Sequence, residues 1–197
     1  HHHRAAVTLD GQPIAIRSPH DSRDAGIAFI PEDRKAQGLV LLMPAFANIA
    51  LTAGSDFVGP GGTIKPTKQA ETAAEVAKEL SLRPPNVNLL SRQFSGGNQQ
   101  KLVVAKWLRR NSRVFLFDEP TKGVDVGGRA EIYALIDQLA AAGNAIVVVS
   151  SDLPEIIALS DRVLVMRGGR VAAEHVGADI TEESLVASAM GMEKHAS

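Results

Sequence analysis

The stretch "VFLFDEP", from Val114 to Pro120, carries the strongest signal for the fold class in this sequence. It opens with an apolar run typical of a buried strand, and two adjacent carboxylates follow that run directly. At a strand end, Asp118 is placed to hold a hydrated Mg²⁺ and Glu119 to face a water that attacks a phosphoryl group. Taken alone, the stretch also fits a capped turn after a core strand.

A second stretch, "FSGGNQQK" from Phe94 to Lys101, lies about one helix upstream. Ser95 can cap a helix, while Gly96 and Gly97 let the backbone come close to a ligand. The first N–H groups of such a helix suit an anion, particularly a phosphate. An ordinary capped surface helix is the alternative. The two stretches in this order favour phosphate chemistry over chance.

Working outward, apolar runs and turn signals alternate along the chain. "AGIAFIPEDRK" predicts a strand at 27–30 that Pro31 ends, with Arg34 on the following loop. "DG" at Asp10 predicts a tight hairpin, and "DRVLVMRGGRVAAE" predicts another. The remaining elements are a strand in "AIVVVSS" and helices at 129–142, 153–159 and 182–190. This alternation predicts a largely parallel α/β sheet.

The middle of the chain has a different character. It contains an alanine-rich stretch at 45–53, a Gly/Pro loop at 59–66 and a predicted helix at 67–82. We therefore predict three parts: residues 4–38 as the N-terminal part of a core, 39–110 as a helical subdomain, and 111–197 as the C-terminal part of the core.

Composition narrows the function classes. The net charge is −1, so no basic excess points to nucleic acid. The chain has no cysteine, which excludes a disulfide framework, a thiol nucleophile and a cysteine metal site. Its aliphatic runs are far shorter than the roughly 20 residues needed to span a bilayer. We interpret His1–His3 as the end of an expression tag.

The two stretches resemble the motifs of the ATP-binding-cassette (ABC) ATPases. "FSGGNQQK" resembles their signature motif and "VFLFDEP" their Walker B strand, while "GVDVGG" stands at the D-loop and "PED" at the Q-loop. The resemblance implies an α/β P-loop NTPase core with a helical subdomain. Three further stretches, "PEDRKAQGLV", "TKGVDVG" and "SSDLPEI", resemble the second cassette of bacterial sugar importers of the ribose/xylose/galactose type.

This resemblance implies roles for individual residues, with ATP and Mg²⁺ as cofactors. Glu119 and Ser151 would be catalytic, and Asp118 and Glu32 would bind the metal. The implied nucleotide-binding residues are Ser95, Gly96, Gly97, Asn98, Gln99, Glu32 and Asp125.

Two of these positions depart from the family pattern. Glu32 replaces the usual glutamine, and Ser151 replaces a histidine whose imidazole a serine cannot imitate. A solvated loop glutamate and a plain strand-end cap are the alternatives for these two residues.

The sequence contains no G-x-x-x-x-G-K-S/T loop. The near misses end in Pro60 and in Arg129, without the required lysine. In the resembling family this loop precedes the residues seen here, so we expect a cassette piece, incomplete at its N-terminus, that begins after Walker A. We expect the isolated chain not to hydrolyse ATP and to self-associate through uncovered apolar surface. Ser95 and Gly97 would complete the site of a partner cassette.

The resemblance implies the ATPase subunit of a bacterial carbohydrate importer, which couples ATP hydrolysis to sugar uptake. Its partners would be a second nucleotide-binding domain, membrane permease subunits and, indirectly, a sugar-binding protein. It would lie peripherally on the cytoplasmic face of the inner membrane. Two alternatives are a non-catalytic cassette that only docks and a non-transport cassette ATPase acting on nucleic acid. A long coiled coil or a basic stripe would support the latter, and the sequence has neither.

Overall fold

The computed structural model describes residues 7–52, 57 and 65–192. The chain divides into two compact units, His1–Val147 and Val148–Ser197. None of the helices in these described ranges is both long and apolar enough to span a membrane.

The first unit begins with the predicted hairpin. Strands β1 (Val7–Leu9) and β2 (Gln12–Ile14) pair antiparallel, with Thr8 opposite Pro13. Asp10 and Gly11 have φ angles of 52° and 75°, the left-handed values that a tight hairpin turn requires. The Asp-Gly signal is therefore confirmed.

A sheet of three strands holds the core of the first unit. It follows the short helix α1 (Pro19–Asp24) and consists of β3 (Ile27–Ile30), β4 (Val114–Asp118) and β5 (Ala145–Val149), which are neighbours in that order. β3 and β4 run parallel, with Ile30 opposite Phe117. Phe115 and Phe117 are completely or almost completely buried on one face, whereas Phe29 is 47% exposed. Among the described strands the parallel part is thus small, because the other four form separate antiparallel pairs.

The described residues between 39 and 110 contain three α-helices. They are α2 (Ala45–Ala50), α3 (Pro66–Glu79) and α4 (Gly96–Leu108). α4 is buried from Gly97 to Lys106 and packs against both of the others. α3 ends before the predicted Leu82, and Ser81 beyond it has a φ of 50°. Ala53 and most of the predicted Gly/Pro loop lie outside the described residues.

Asn48 is a buried asparagine on α2 that links segments on both sides of it by hydrogen bonds. Its Oδ1 accepts a hydrogen bond from the N–H of Val40 at 2.8 Å, and its Nδ2 donates to the Oγ of Ser91 at 2.8 Å. The Asn48 side chain is fully buried, so these hydrogen bonds satisfy polar atoms that water cannot reach.

Helix α5 (Val126–Ala141) begins three residues before the predicted start at Arg129. Asp125 is its N-cap, and the Asp125 Oδ1 accepts from the N–H of Gly128 at 2.7 Å. Gly127 and Gly128 are poor helix formers, and for this reason the sequence pattern predicts a loop at these two positions. The cap outweighs that preference and draws both into the first turn.

The second unit follows the predicted order. Helix α6 (Leu153–Leu159) leads to the hairpin of β6 (Arg162–Arg167) and β7 (Arg170–Val176), and α7 (Glu182–Met190) follows. Ile156, Ile180 and Leu185 form its buried cluster. The predicted bounds of α6 and α7 are confirmed.

Candidate functional site

The start of α4 has an exposed cap residue, and the helix is buried from Gly97 onward. Ser95 is its N-cap, and the Ser95 Oγ accepts from the backbone N–H of Asn98 at 3.4 Å and from the Asn98 Nδ2 at 2.9 Å. Ser95 itself is exposed. The Asn98 N–H is thus capped, whereas the N–H groups of Gly96 and Gly97 have no acceptor within the helix, which is the arrangement that suits an anion.

The two glycines after Ser95 differ in how closely the rest of the chain packs against them. A Cβ on Gly96 would lie 2.8 Å from the Nη2 of Arg34, which is closer than real Cβ contacts come. A Cβ on Gly97 would lie 3.4 Å from the Cα of Gly128, at the start of α5, which is an ordinary van der Waals contact. The sequence predicts that both glycines let a ligand approach, and the structure adds a packing reason for Gly96 alone.

Asn98 and Gln99 point into the protein. The Asn98 Oδ1 accepts from the N–H of Arg83 at 2.8 Å, and the Gln99 Nε2 donates to the carbonyl of Phe94 at 3.1 Å. Both residues are buried. Their side chains thus hold the loops around the start of α4, and contact with a nucleotide at these two positions stays a prediction.

The carboxylates Asp118 and Glu119 lie where β4 ends. Asp118 is the last residue of the strand, and Glu119 follows with a φ of 46°. This left-handed conformation favours glycine and is costly for a glutamate. The N–H of Lys122 donates to the Glu119 carbonyl at 3.1 Å and so closes the turn. Both carboxylates are half-buried, which leaves them accessible to a ligand.

Glu32 at the Q-loop position meets this turn through an ion pair. Its Oε1 accepts a hydrogen bond from the Nζ of Lys122. The hydrogen bond to Glu32 is the largest cause that raises the pKa of Lys122, and the charges of Glu32, Glu119 and Asp118 add to it. Lys122 therefore places a cation beside three carboxylates that the sequence assigned to the site. Sequence reasoning missed it because nothing local pairs residues 32 and 122.

Arg34 was expected on a loop, and that placement is wrong. It begins a short π-helical turn, Arg34–Gly38, and is only 6% exposed. Its Nη1 donates to the Lys122 carbonyl at 2.8 Å and its Nη2 to the Gly123 carbonyl at 3.1 Å. Arg34 leaves the loop surface because its guanidinium is buried against these two carbonyls, which lie far along the chain.

The carboxylates of Asp118 and Glu32 suit a magnesium ion that is coordinated mainly by phosphate oxygens and water. No group of three or more His, Cys, Asp or Glu side chains converges as a metal cage within residues 7–52, 57 and 65–192. Mg²⁺ usually takes one or two protein carboxylates and completes its shell with phosphates and water. Asp118 carries such an oxygen at the end of β4, and Glu32 carries another that is paired with Lys122. The roles of Asp118 and Glu32 as magnesium ligands stay predictions.

The two other predicted site residues lie near helix starts. Asp125 uses its carboxylate to cap α5. Ser151 is exposed, follows β5 and precedes α6, whose N-cap is Asp152. The roles of Asp125 at a nucleotide and of Ser151 in catalysis stay predictions.

Comparison with known proteins gives one family. The family model described as ABC transporter matches residues 2–122. The ribose import ATP-binding protein RbsA 1 of Rhizobium meliloti is 42% identical over 191 residues, which cover 97% of this chain and 38% of that protein. A putative ribose/galactose/methyl galactoside import ATP-binding protein of Burkholderia lata is 45% identical over 180 residues, 91% of this chain and 35% of that protein. The chain thus spans little more than a third of these relatives.

Solved structures show a similar fold. The ADP conformation of MJ1267, an ATP-binding cassette of an ABC transporter, superposes with a TM-score of 0.74 at 20% identity and covers 94% of this chain and 76% of that chain. CbiO1 from Clostridium perfringens, part of the ABC transporter complex cbiONQ, gives a TM-score of 0.68 at 19% identity, with 91% and 69% covered. Both likenesses support the α/β cassette core with helices that the motifs predicted.

Proposed function

Because the chain belongs to the ABC transporter family, we propose that it is part of the ATPase subunit of a bacterial carbohydrate importer. The observation that carries the proposal is the exposed, Ser95-capped start of α4 together with the Asp118–Glu119 pair at the end of β4. The relatives named for ribose and galactose import support the choice of a sugar.

The chain's own residues suit the two sides of an ATP site. Asp118, with Glu32, would hold Mg²⁺, an ion that neutralises charge on phosphate oxygens when it is bound. Glu119 would orient the attacking water and accept its proton. Ser95 and the first N–H groups of α4 would bind the γ-phosphate of a nucleotide held by a partner cassette. Ser151 would offer a hydroxyl donor in place of an imidazole.

The proposal includes partners and a location. A second nucleotide-binding domain would supply the other half of each site, and permease subunits would receive the coupled motion at the cytoplasmic face of the membrane. The printed sequence contains no G-x-x-x-x-G-K-S/T loop, whose backbone and lysine hold the β- and γ-phosphates. We therefore expect the 197-residue chain alone to bind ATP weakly and not to hydrolyse it.

Ser95 at the start of α4 and Glu119 at the end of β4 are predicted to contribute unequally to ATP hydrolysis. The start of α4 would complete a partner's site, whereas Glu119 would serve the chain's own nucleotide, and the resemblance puts Ser151 at the position of the family's histidine. Loss of one preorganised donor costs about 10²-fold in rate, which is enough to make one site dominate. Ser95→Arg in the complete subunit should therefore abolish most ATP hydrolysis, and Glu119→Gln should remove a minor part.

The test measures ATP turnover of both variants in the reconstituted importer. Ser18→Arg is the matched control, because Ser18 is also an N-cap and accepts from the N–H of Asp21. It should keep wild-type turnover. Near-normal turnover in Ser95→Arg with almost none in Glu119→Gln would reverse the assignment of the working site. Wild-type turnover in both variants would refute the proposed function.

A further inference from the structure

Arg34 is a buried cation whose hydrogen-bond acceptors are two successive backbone carbonyls. The guanidinium binds the carbonyls of Lys122 and Gly123, while its Nε is buried with no partner among the described residues. Burial lowers the pKa of Arg34, and the charge of Asp33 opposes this effect. Burying a charged guanidinium costs free energy of folding, which its hydrogen bonds must offset.

Three motifs meet at this side chain. Arg34 belongs to the segment that follows the Q-loop position, and its acceptors lie in the turn that leads to Asp125 at the D-loop position. On the third side lies Gly96, where a Cβ would be 2.8 Å from the Nη2 of Arg34 and 3.4 Å from the Gly123 carbonyl. Gly38 lies close to the other end of Arg34, and a Cβ at Gly38 would come within 3.3 Å of the Arg34 Cβ.

We propose that Arg34 is a positioning residue that locks the Lys122–Gly123 backbone against the start of α4, so that the D-loop and signature segments approach a partner's nucleotide as one unit. This inference rests on the proposed function. A planar guanidinium suits the task because it reaches two acceptors in a fixed geometry, whereas an ammonium offers a point charge. Misplacement by about 1 Å at a reacting centre costs about 10²-fold in rate.

The first test compares Arg34→Met and Arg34→Lys in the complete importer. Arg34→Met should lower kcat at least about tenfold and change KM for ATP less than about threefold, because it disturbs placement more than binding. Arg34→Lys keeps the charge without the fork and should recover only part of kcat. Arg92→Met, which removes an exposed arginine shortly before α4, is the matched control and should behave like the wild type.

The second test measures hydrogen exchange in the 197-residue chain without nucleotide. The amides of Lys122 and Val124 are hydrogen-bonded within the turn, and Arg34→Met should make them exchange at least about tenfold faster. Gly96→Ala should have a similar effect while Arg34 is present, because its Cβ displaces the guanidinium. In the Arg34→Met background, Gly96→Ala should add much less.

The outcomes separate the inference from the proposed function. If the wild-type importer hydrolyses ATP and Arg34→Met changes neither kcat nor exchange, the inference is overturned. The same holds if the effects of Gly96→Ala and Arg34→Met on exchange are simply additive. If the wild-type importer hydrolyses no ATP, the proposed function fails, and the exchange measurements still decide whether Arg34 locks the turn. Should Arg34→Met not fold, Gly96→Ala and Arg34→Lys supply the exchange comparison.

Discussion

Lys106 on α4 provides a prediction about stability and pH. Its side chain is buried, and its Nζ donates to the carbonyl of Gly38. Burial lowers the pKa of Lys106 from its ordinary value of 10.5 to about 8. The perturbation we propose is Lys106→Met, which keeps a long apolar side chain and removes the charge.

The pKa difference fixes the expected magnitude and sign. The fall from 10.5 to about 8 corresponds to about 3 kcal/mol at roughly 1.4 kcal/mol per pH unit. Below pH 8 the lysine is charged in both the folded and the unfolded chain, so folding bears the full desolvation cost. Between pH 8 and 10.5 the unfolded chain keeps a proton that the folded chain has released, and the free energy of unfolding rises with pH. Lys106→Met lacks this rise.

Two opposing contributions therefore act in the variant. At pH 7 it gains from the missing charge and loses about 1–3 kcal/mol because the Gly38 carbonyl is left unpaired. At pH 10.5 only the loss remains. Relative to the wild type, the variant should thus lose about 3 kcal/mol of stability between pH 7 and pH 10.5.

Urea unfolding followed by the fluorescence of Trp107, the one tryptophan of the chain, measures this difference at several pH values. Lys106→Arg is the control, because its guanidinium stays charged throughout the range and should likewise lack the rise. A stability difference between wild type and Lys106→Met that stays constant from pH 7 to pH 10.5 would show that Lys106 does not release its proton on folding in this range.

Three other predictions concern packing and exposed surface. Gly128→Ala should cost about 1–3 kcal/mol in urea unfolding, because its Cβ would lie 2.6 Å from the Val124 Cγ1; Gly127→Ala, with its nearest atom at 3.6 Å, should cost nothing. Asn48→Ala should cost about 2–4 kcal/mol, since it leaves buried polar groups unpaired. The isolated chain should self-associate through the exposed sheet face around Phe29 in sedimentation experiments, and a clean monomer at high concentration would contradict this.

Local patterns predicted most elements of the fold. The alternation of apolar runs and turn residues located β3, β4 and both hairpins, and it gave α6 and α7 their observed bounds. It failed at the start of α5, where Gly127 and Gly128 concealed the cap that Asp125 provides. The low helix propensity of glycine opposes the capping hydrogen bond of Asp125 at this point, and the sequence pattern accounts only for the propensity.

The site was predictable in its motifs and not in its contacts. The two quoted stretches located Ser95 and Glu119 at accessible helix and strand ends. The two hydrogen bonds of Arg34 reach acceptors that are 88 and 89 positions away in the sequence. A local sequence pattern therefore cannot predict them. For the same reason, the positions of Gly96 and Gly97 were predictable while their packing against Arg34 and Gly128 was not.

The close approach of Gly97 to Gly128 also shapes the electric field of the protein. It brings the beginnings of α4 and α5 side by side, so the positive ends of two helix dipoles, about half an elementary charge each, add at one place. Arg34 contributes a further full charge beside Gly96, and the carboxylates of Asp125 and Asp33 offset about two. The charges therefore roughly cancel, and the two helix ends offer an anion their first N–H groups at short range. Because the effect of a helix dipole falls off within the first turn, an anion would be held here by contact and not steered from a distance.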